Sequence, residues 1–393
     1  MSAAYAGDIR SREAWAAEGH LAELTSVRFF AAAAVLLGHF QDMLGMPDTV
    51  AALVGGGQYV SLFFALSGFI LTYRYWDTFS GGVERGALRR FLVARFARIY
   101  PSYVLALVAL TIVYAVESHD HPGSILYPGN LVVSWLVNLF ALQTFARSVP
   151  TQQYWNSPSW SVSTELCFYL MFPLLVLWIA RHCRTRAALL GLLAASVALS
   201  AALYAATLVL VFDHGWQREL WLDLVATRNV FWRTHQFVIG VVGARLLYGG
   251  HLPWLSRPAA RNALLVASLA LVTAMNLAPW PADDHAIMIL RPYRLEIAYL
   301  FPFAGIIVAL AAGRTFLSRI MEAPLLVLLG HASYALYIFH WIPWVIILHT
   351  PEGLDPNPLW VAFAILATAI FSVVCYLCYE KPVRRFLRRK LDP

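Results

Sequence analysis

Apolar runs of about twenty residues recur along the chain, broken by short polar linkers. This is the pattern of helices that each cross a bilayer whose hydrocarbon core is about 30 Å thick. Full spans are expected at 26–46, 58–75, 99–117, 159–180, 187–212, 229–249, 262–280, 296–313, 325–348 and 359–379. The linkers fall into two alternating kinds. One kind carries Arg85, Arg89, Arg90 and Arg95, then Arg181, Arg184 and Arg186, then Arg257 and Arg261, then Arg314 and Arg319. The other kind, around 47–57, 118–129 and 349–358, holds no Lys or Arg. Basic linkers stay in the cytoplasm, so both termini are expected there. The fold class is therefore all-α: a polytopic transmembrane helical bundle of about ten spans.

Residues 130–147 (NLVVSWLVNLFALQTFAR) are apolar enough for an eleventh span. Counting them would turn every later basic linker outward, so a re-entrant or interfacial helix is expected instead. Asn130, Asn138 and Gln143 suit a polar cavity better than lipid. The chain thus reads as a cytoplasmic segment 1–24, a transmembrane domain 25–380 and a basic cytoplasmic tail 381–393. Residues 1–24 lack the pattern of a cleaved signal peptide, which makes the first span an expected anchor.

Composition agrees with a membrane protein: 60% of the 393 residues are hydrophobic and 13% are charged, against ~25% charged in soluble domains. The net charge of +7 comes from the linkers and tail, so it reads as topology and not as a nucleic-acid footprint. Cys167, Cys183, Cys375 and Cys378 form no disulfide framework and read as packing residues.

The chemistry lies in polar residues inside the apolar runs, where ionisable groups cost about 3 kcal/mol or more. Arg28 and His39 are eleven positions apart, close to three helical turns, so they share one face about 16 Å apart along the axis. Glu165, Arg233, His235 and His340 reach a similar outer depth on other spans. A histidine moves protons near neutral pH, and a carboxylate can orient it. His39 with Glu165 is the expected acid/base pair, with His340 or Arg233 stabilising an oxyanion. Near the cytoplasmic edge Arg28, Arg74, Arg95 and Arg98 gather guanidinium groups suited to phosphates. Tyr154, Trp155 and Trp160, with Gln152, Gln153 and Asn156, offer aromatic faces and amides to a sugar, though an interfacial aromatic belt looks the same.

These motifs resemble the acyltransferase-3 family of integral-membrane acyltransferases across nearly the whole chain. Arg28 and His39 resemble its first-helix signature, and FFALSGFIL (63–71) its second-helix phrase. Arg95 to Pro101 is similar to its R-x-x-R-I-x-P segment. SPSWSVSTELCFYLMFP (157–173) resembles its W-S-L-S-x-E stretch, with Glu165 on the acidic position. HASYALYIFH (331–340) and YEKPVRRFL (379–387) resemble its later phrases. His235-Gln236-Phe237 departs from a Pro-Glu-Phe-like phrase of many relatives, so a role for a glutamate there does not carry over.

The resemblance implies an O-acyltransferase of the inner membrane that takes acetyl-CoA or another acyl-CoA as donor, with no metal. His39 and Glu165 would be catalytic, and Arg28, Arg74, Arg95 and Arg98 would bind the CoA phosphates. Trp160, Arg233, His235 and His340 would meet a carbohydrate or glycoside acceptor, such as a surface polysaccharide unit or a macrolide-type glycoside. Membrane lipid and polysaccharide-assembly machinery are the expected surroundings, and nucleic acid is not. Two other classes stay open at this point. One is a proton-coupled exporter using the same His, Glu and Arg groups. The other is a haem protein with His39 and His340 as axial ligands.

Overall fold

The computed structural model describes residues 20–116, 128–146, 149–212, 228–279, 281, 284–348 and 357–391, and no strand occurs among them. Most of segment 1–24, most of the linkers expected near 118–129 and 349–358, and the last two tail residues lie outside the described residues. Nine described helices are long and apolar enough to cross a membrane, so the protein is a multi-pass helical bundle.

Helix α1 (His20–Phe40) begins earlier than its expected span and ends earlier. Gly45, at φ +59°, and Pro47 break the run, and the short α2 (Asp48–Val54) follows. The early start takes Glu23 and Ser26 into the bundle, where both are buried. The Ser26 hydroxyl donates to the Met321 carbonyl at 2.6 Å.

Helix α3 (Gln58–Phe79) matches its expected span, but α4 (Arg85–Val116) runs 32 residues without a break. The arginine-rich linker is therefore the first part of a spanning helix, with Arg95 and Arg98 one turn apart on it. Among the described residues 130–146, no helix is long enough to cross a bilayer. Helix α5 (Leu131–Leu139) is nine residues, about 14 Å, less than half the hydrocarbon thickness. Asn130 caps it by accepting from the Val133 amide at 3.0 Å. The chain then turns at Ala141, φ +53°, and folds back. The buried Gln143 donates to the Ser159 carbonyl at 2.9 Å, which satisfies an amide that lipid would leave bare.

Helices α6 (Trp160–His182), α7 (Arg186–Phe212) and α9 (Pro258–Leu277) follow expected spans. Helix α8 (Val230–Tyr248) fills the expected span 229–249, yet it is not among the nine apolar helices. Arg233, His235, Gln236 and Arg245 make it too polar by composition. It is buried instead: residues 235–244 are all shielded.

Helices α3 and α8 touch backbone to backbone. A Cβ on Gly68 would stand 2.2 Å from the Phe237 carbonyl oxygen, and one on Gly240 would stand 1.9 Å from that of Ala65. Only two glycines, one on each helix, permit this crossing. A third close contact joins α1 to α12 (Pro324–Phe339): a Cβ on Gly330 would lie 2.1 Å from the Thr25 carbonyl oxygen.

Helix α10 (Asp284–Pro292) leads into a π-helical turn, Tyr293–Ala298, and then α11 (Leu300–Ala311). The expected span 325–348 is interrupted. Helix α12 ends at Phe339 and α13 (Trp341–Leu348) follows, with His340 at the joint. Pro343 has no N–H for the Phe339 carbonyl, which accounts for the break. Helix α14 (Pro358–Cys375) exposes Leu359, Phe363, Leu366 and Ile370 along one face; such an apolar stripe belongs against lipid. After a second π-helical turn (Tyr376–Glu380), the tail forms α15 (Lys381–Leu391).

Candidate active site

The crossing of α1 and α12 brings His39 and His340 together. Nδ1 of His39 lies 3.0 Å from Nε2 of His340, and the rings stack at 5.0 Å between centroids. Nδ1 of His340 lies 2.7 Å from the Tyr337 carbonyl oxygen. That oxygen only accepts, so His340 carries its proton on Nδ1 and its Nε2 is the acceptor. His39 must then donate from Nδ1, which leaves the lone pair on its own Nε2. The Trp344 indole N–H donates to the His39 carbonyl at 3.0 Å, and Trp341 packs edge-on against the His39 ring.

His39 lines a cavity of about 170 Å³ with Trp160, Arg228, Arg233, Arg291, Glu296 and Tyr337 among its other walls. One wall is a buried ion pair. The Arg233 guanidinium meets the Glu296 carboxylate and lies 4.9 Å from the centre of the Trp160 ring. The amide of Gln236 donates to the same carboxylate at 2.9 Å, and the Ser61 hydroxyl reaches it at 3.4 Å. Glu296 sits in the π-helical turn, which leaves its backbone carbonyl open to side chains. Nε2 of His235 donates to it at 2.9 Å, and Gln236 adds a bond of 3.2 Å.

Two smaller cavities, each of about 30 Å³, lie beside it in turn. The first shares Val60 and Tyr337 with the His39 cavity and adds Arg28 and Glu165. The second shares Arg28, Phe63 and Glu165 with the first and adds Arg95 and Arg98. Each adjoining pair shares wall residues, so the three cavities lie in a row between the arginines and the imidazole. Tyr337 stands at the neck, its hydroxyl 2.8 Å from Ser161 Oγ and 3.0 Å from the Pro158 carbonyl. Arg95 is held by the Tyr75 hydroxyl at 3.3 Å and by the Tyr75, Phe91 and Tyr169 rings.

Several expected positions are corrected. Glu165 does not orient His39: its carboxylate accepts from Ser67 at 3.1 Å and from Tyr169, among the arginines. The partner of His39 is His340, fully buried behind it. His235 is also fully buried; it holds the Glu296 backbone and is absent from the cavity wall. Arg74 is exposed and lines none of the three cavities, but it stays within electrostatic reach of Arg95 and Arg28, as a member of the expected cluster. Of the outer-loop aromatics, only Trp160 reaches the cavity. Trp155 is buried with its indole N–H on Ser134 Oγ at 3.1 Å, Tyr154 stacks on Tyr114, and Gln152 and Asn156 are buried. A haem iron does not fit between nitrogens already at hydrogen-bonding distance.

Glu296, Arg228, Arg291 and Tyr337 were not singled out in the sequence. Glu296 carried a usable signal, as an acid at the start of an apolar run. Tyr337 carried none beyond its place in HASYALYIFH.

The helical bundle thus sets a paired imidazole on a polar cavity, with two small cavities lined by Arg28, Arg95 and Arg98 in the same row. The chain belongs to the family described as "Acyltransferase domain", whose model matches residues 21–377; the protein is an acyltransferase. It is similar to the acyltransferase MdmB of Streptomyces mycarofaciens, 28% identical over 340 residues, covering 82% of this chain and 78% of that protein. It is 23% identical over 353 residues to the peptidoglycan O-acetyltransferase OatA of Listeria monocytogenes, covering 84% of this chain and 52% of that protein. A putative peptidoglycan O-acetyltransferase, YrhL of Bacillus subtilis, is 24% identical over 349 residues, 84% of this chain and 51% of that protein. This chain thus spans about half the length of the two peptidoglycan enzymes. No solved structure matches it.

Proposed function

We propose that the protein moves an acetyl or other short acyl group from cytoplasmic acyl-CoA to a hydroxyl of a sugar-containing acceptor, within the inner membrane. The observation that carries this reading is the succession of cavities from Arg95 and Arg98, past Arg28 and Glu165, to His39. The phosphates of CoA meet the guanidinium groups at one end, and the extended pantetheine arm follows the series toward Tyr337. The thioester arrives beside His39, at the floor of the larger cavity, where the acceptor hydroxyl waits.

The transfer is a direct displacement. Nε2 of His39 removes the hydroxyl proton as the oxygen attacks the thioester carbonyl carbon. The tetrahedral oxyanion is stabilised by the cationic wall of the cavity, with Arg228 and Arg233 the candidates. As the C–S bond breaks, the proton on His39 passes to the departing thiolate. His340 holds His39 in the tautomer that exposes Nε2, the part first expected of Glu165. Glu165 belongs to the donor channel in this scheme, where it balances guanidinium charge.

Membership of an acyltransferase family decides against the exporter that the same polar groups also suggested. The test is transfer of label from radiolabelled acetyl-CoA by purified protein. Product appearing on a sugar hydroxyl supports the reading; donor left intact in the presence of a wide acceptor panel contradicts it.

A further inference from the structure

We propose that the Tyr337 hydroxyl is a catalytic hydrogen-bond donor: it stabilises the oxyanion that forms on the thioester carbonyl during transfer. This deepens the proposed reaction and rests on it for the arrival of a thioester beside His39.

Position singles the residue out. Among the described residues, Val60 and Tyr337 alone line both the His39 cavity and the small cavity beside it. The Val60 side chain has no polar atom, so Tyr337 supplies the polar side chain at the boundary between the two. Tyr337 stands on α12 one turn before His340, on the same helix face. Its backbone carbonyl oxygen, 2.7 Å from Nδ1 of His340, sets the protons of the imidazole pair. Its ring packs edge-on against Phe63 at 5.7 Å between centroids, which holds it in place.

The hydrogen bonds of the hydroxyl leave its proton available. The Tyr337 and Ser161 hydroxyls are 2.8 Å apart, and each lies 3.0 Å from the Pro158 carbonyl oxygen. This triangle contains two protons and one carbonyl. Ser161 satisfies the carbonyl by donating to it. The Tyr337 proton therefore turns to a substrate oxygen without stranding a buried acceptor. Both side chains are buried, so bulk water competes little for the donor.

Such a donor acts on the right atom. As the acceptor oxygen bonds to the carbonyl carbon, its proton goes to Nε2 of His39, and the π electrons of the C=O bond move onto the carbonyl oxygen. That oxygen accepts from Tyr337, whose proton stays on its own oxygen. When the C=O bond re-forms, the C–S bond breaks and the His39 proton goes to the thiolate. The hydrogen bond is stronger to the oxyanion than to the ground-state carbonyl, so it lowers the barrier.

The experiment uses the full-length protein in lipid nanodiscs. Tyr337→Phe keeps the ring and removes the donor; kcat is expected to fall about 10²-fold, the cost of one oxyanion donor, with little change in the KM for acetyl-CoA. The second arm is isotope-edited infrared spectroscopy of acetyl-CoA carrying heavy carbon at the thioester carbonyl, bound to His39→Gln protein. The carbonyl band is expected at lower wavenumber than in free acetyl-CoA, and Tyr337→Phe in the same background is expected to return it. A Tyr337 that only tethers Pro158 would change the melting temperature and leave the band where it is. Wild-type kcat in Tyr337→Phe overturns the proposal, and so does a band that does not move on binding or that ignores the substitution. The infrared arm needs no turnover: wild-type protein that transfers nothing, although the band responds to Tyr337, contradicts the transfer reaction and leaves the hydrogen bond standing.

Discussion

Nδ1 of His39 faces Nε2 of His340 at 3.0 Å, and the Tyr337 carbonyl behind His340 decides which nitrogen carries each proton. The hydrogen bonds run in one direction and end at a lone pair on His39 Nε2. When His39 takes up a proton, the bond to His340 becomes charge-assisted.

The first prediction concerns that bond. His340→Leu removes the acceptor, so kcat falls by roughly ten- to a hundredfold, the worth of about 1.5–3 kcal/mol for a charge-assisted bond. His340→Gln can offer an amide oxygen to His39 and retains more activity than the leucine variant. The KM for acyl-CoA stays near wild type in both. Equal kcat values for the two variants would remove His340 from a positioning role.

The arginine end should respond through donor binding. Arg98→Gln raises the KM for acetyl-CoA about tenfold or more, as expected for loss of a guanidinium–phosphate contact, with a smaller change in kcat. Arg74→Gln, at an exposed position that lines none of the three cavities, changes KM less. Steady-state kinetics on purified variants check the order.

The ion pair under the acceptor cavity should be costly to break on one side. Glu296→Gln leaves the buried Arg233 charge without its carboxylate and destabilises the protein by about 3–5 kcal/mol. Arg233→Gln combined with Glu296→Gln removes both charges and recovers much of that loss. Thermal melting in detergent separates the single from the double variant.

The α3–α8 crossing makes a prediction about folding alone. Gly240→Ala places a methyl group against the Ala65 carbonyl and is expected to cost about 1–3 kcal/mol by overpacking. Gly57→Ala, where an added Cβ has open space around it, shifts the melting temperature much less.

Much of this arrangement is legible along the chain. The Arg28–His39 spacing fixes a shared face on one helix, and the buried polar residues of 229–249 mark a span that lies within the bundle. Residues 130–147 betray their fold-back through Asn138 and Gln143, which need partners that lipid lacks. Pairings between helices are a different matter. Periodicity says which face a residue occupies but not which neighbour meets that face, so Glu165 was matched to His39 when Ser67 and Tyr169 hold it. The partner became His340 because the contact of Gly330 with Thr25 sets how α1 and α12 cross. Glu296 escaped notice because it falls at a span boundary, where an acid passes for a loop residue until the π-helical turn carries it inward.

The most direct test of the account is single-turnover acyl transfer by purified His39→Gln protein whose melting temperature matches wild type. A loss of about 10²–10⁴-fold in the transfer rate, with acetyl-CoA still bound, is the predicted result for removal of the general base. Transfer at the wild-type rate would contradict it.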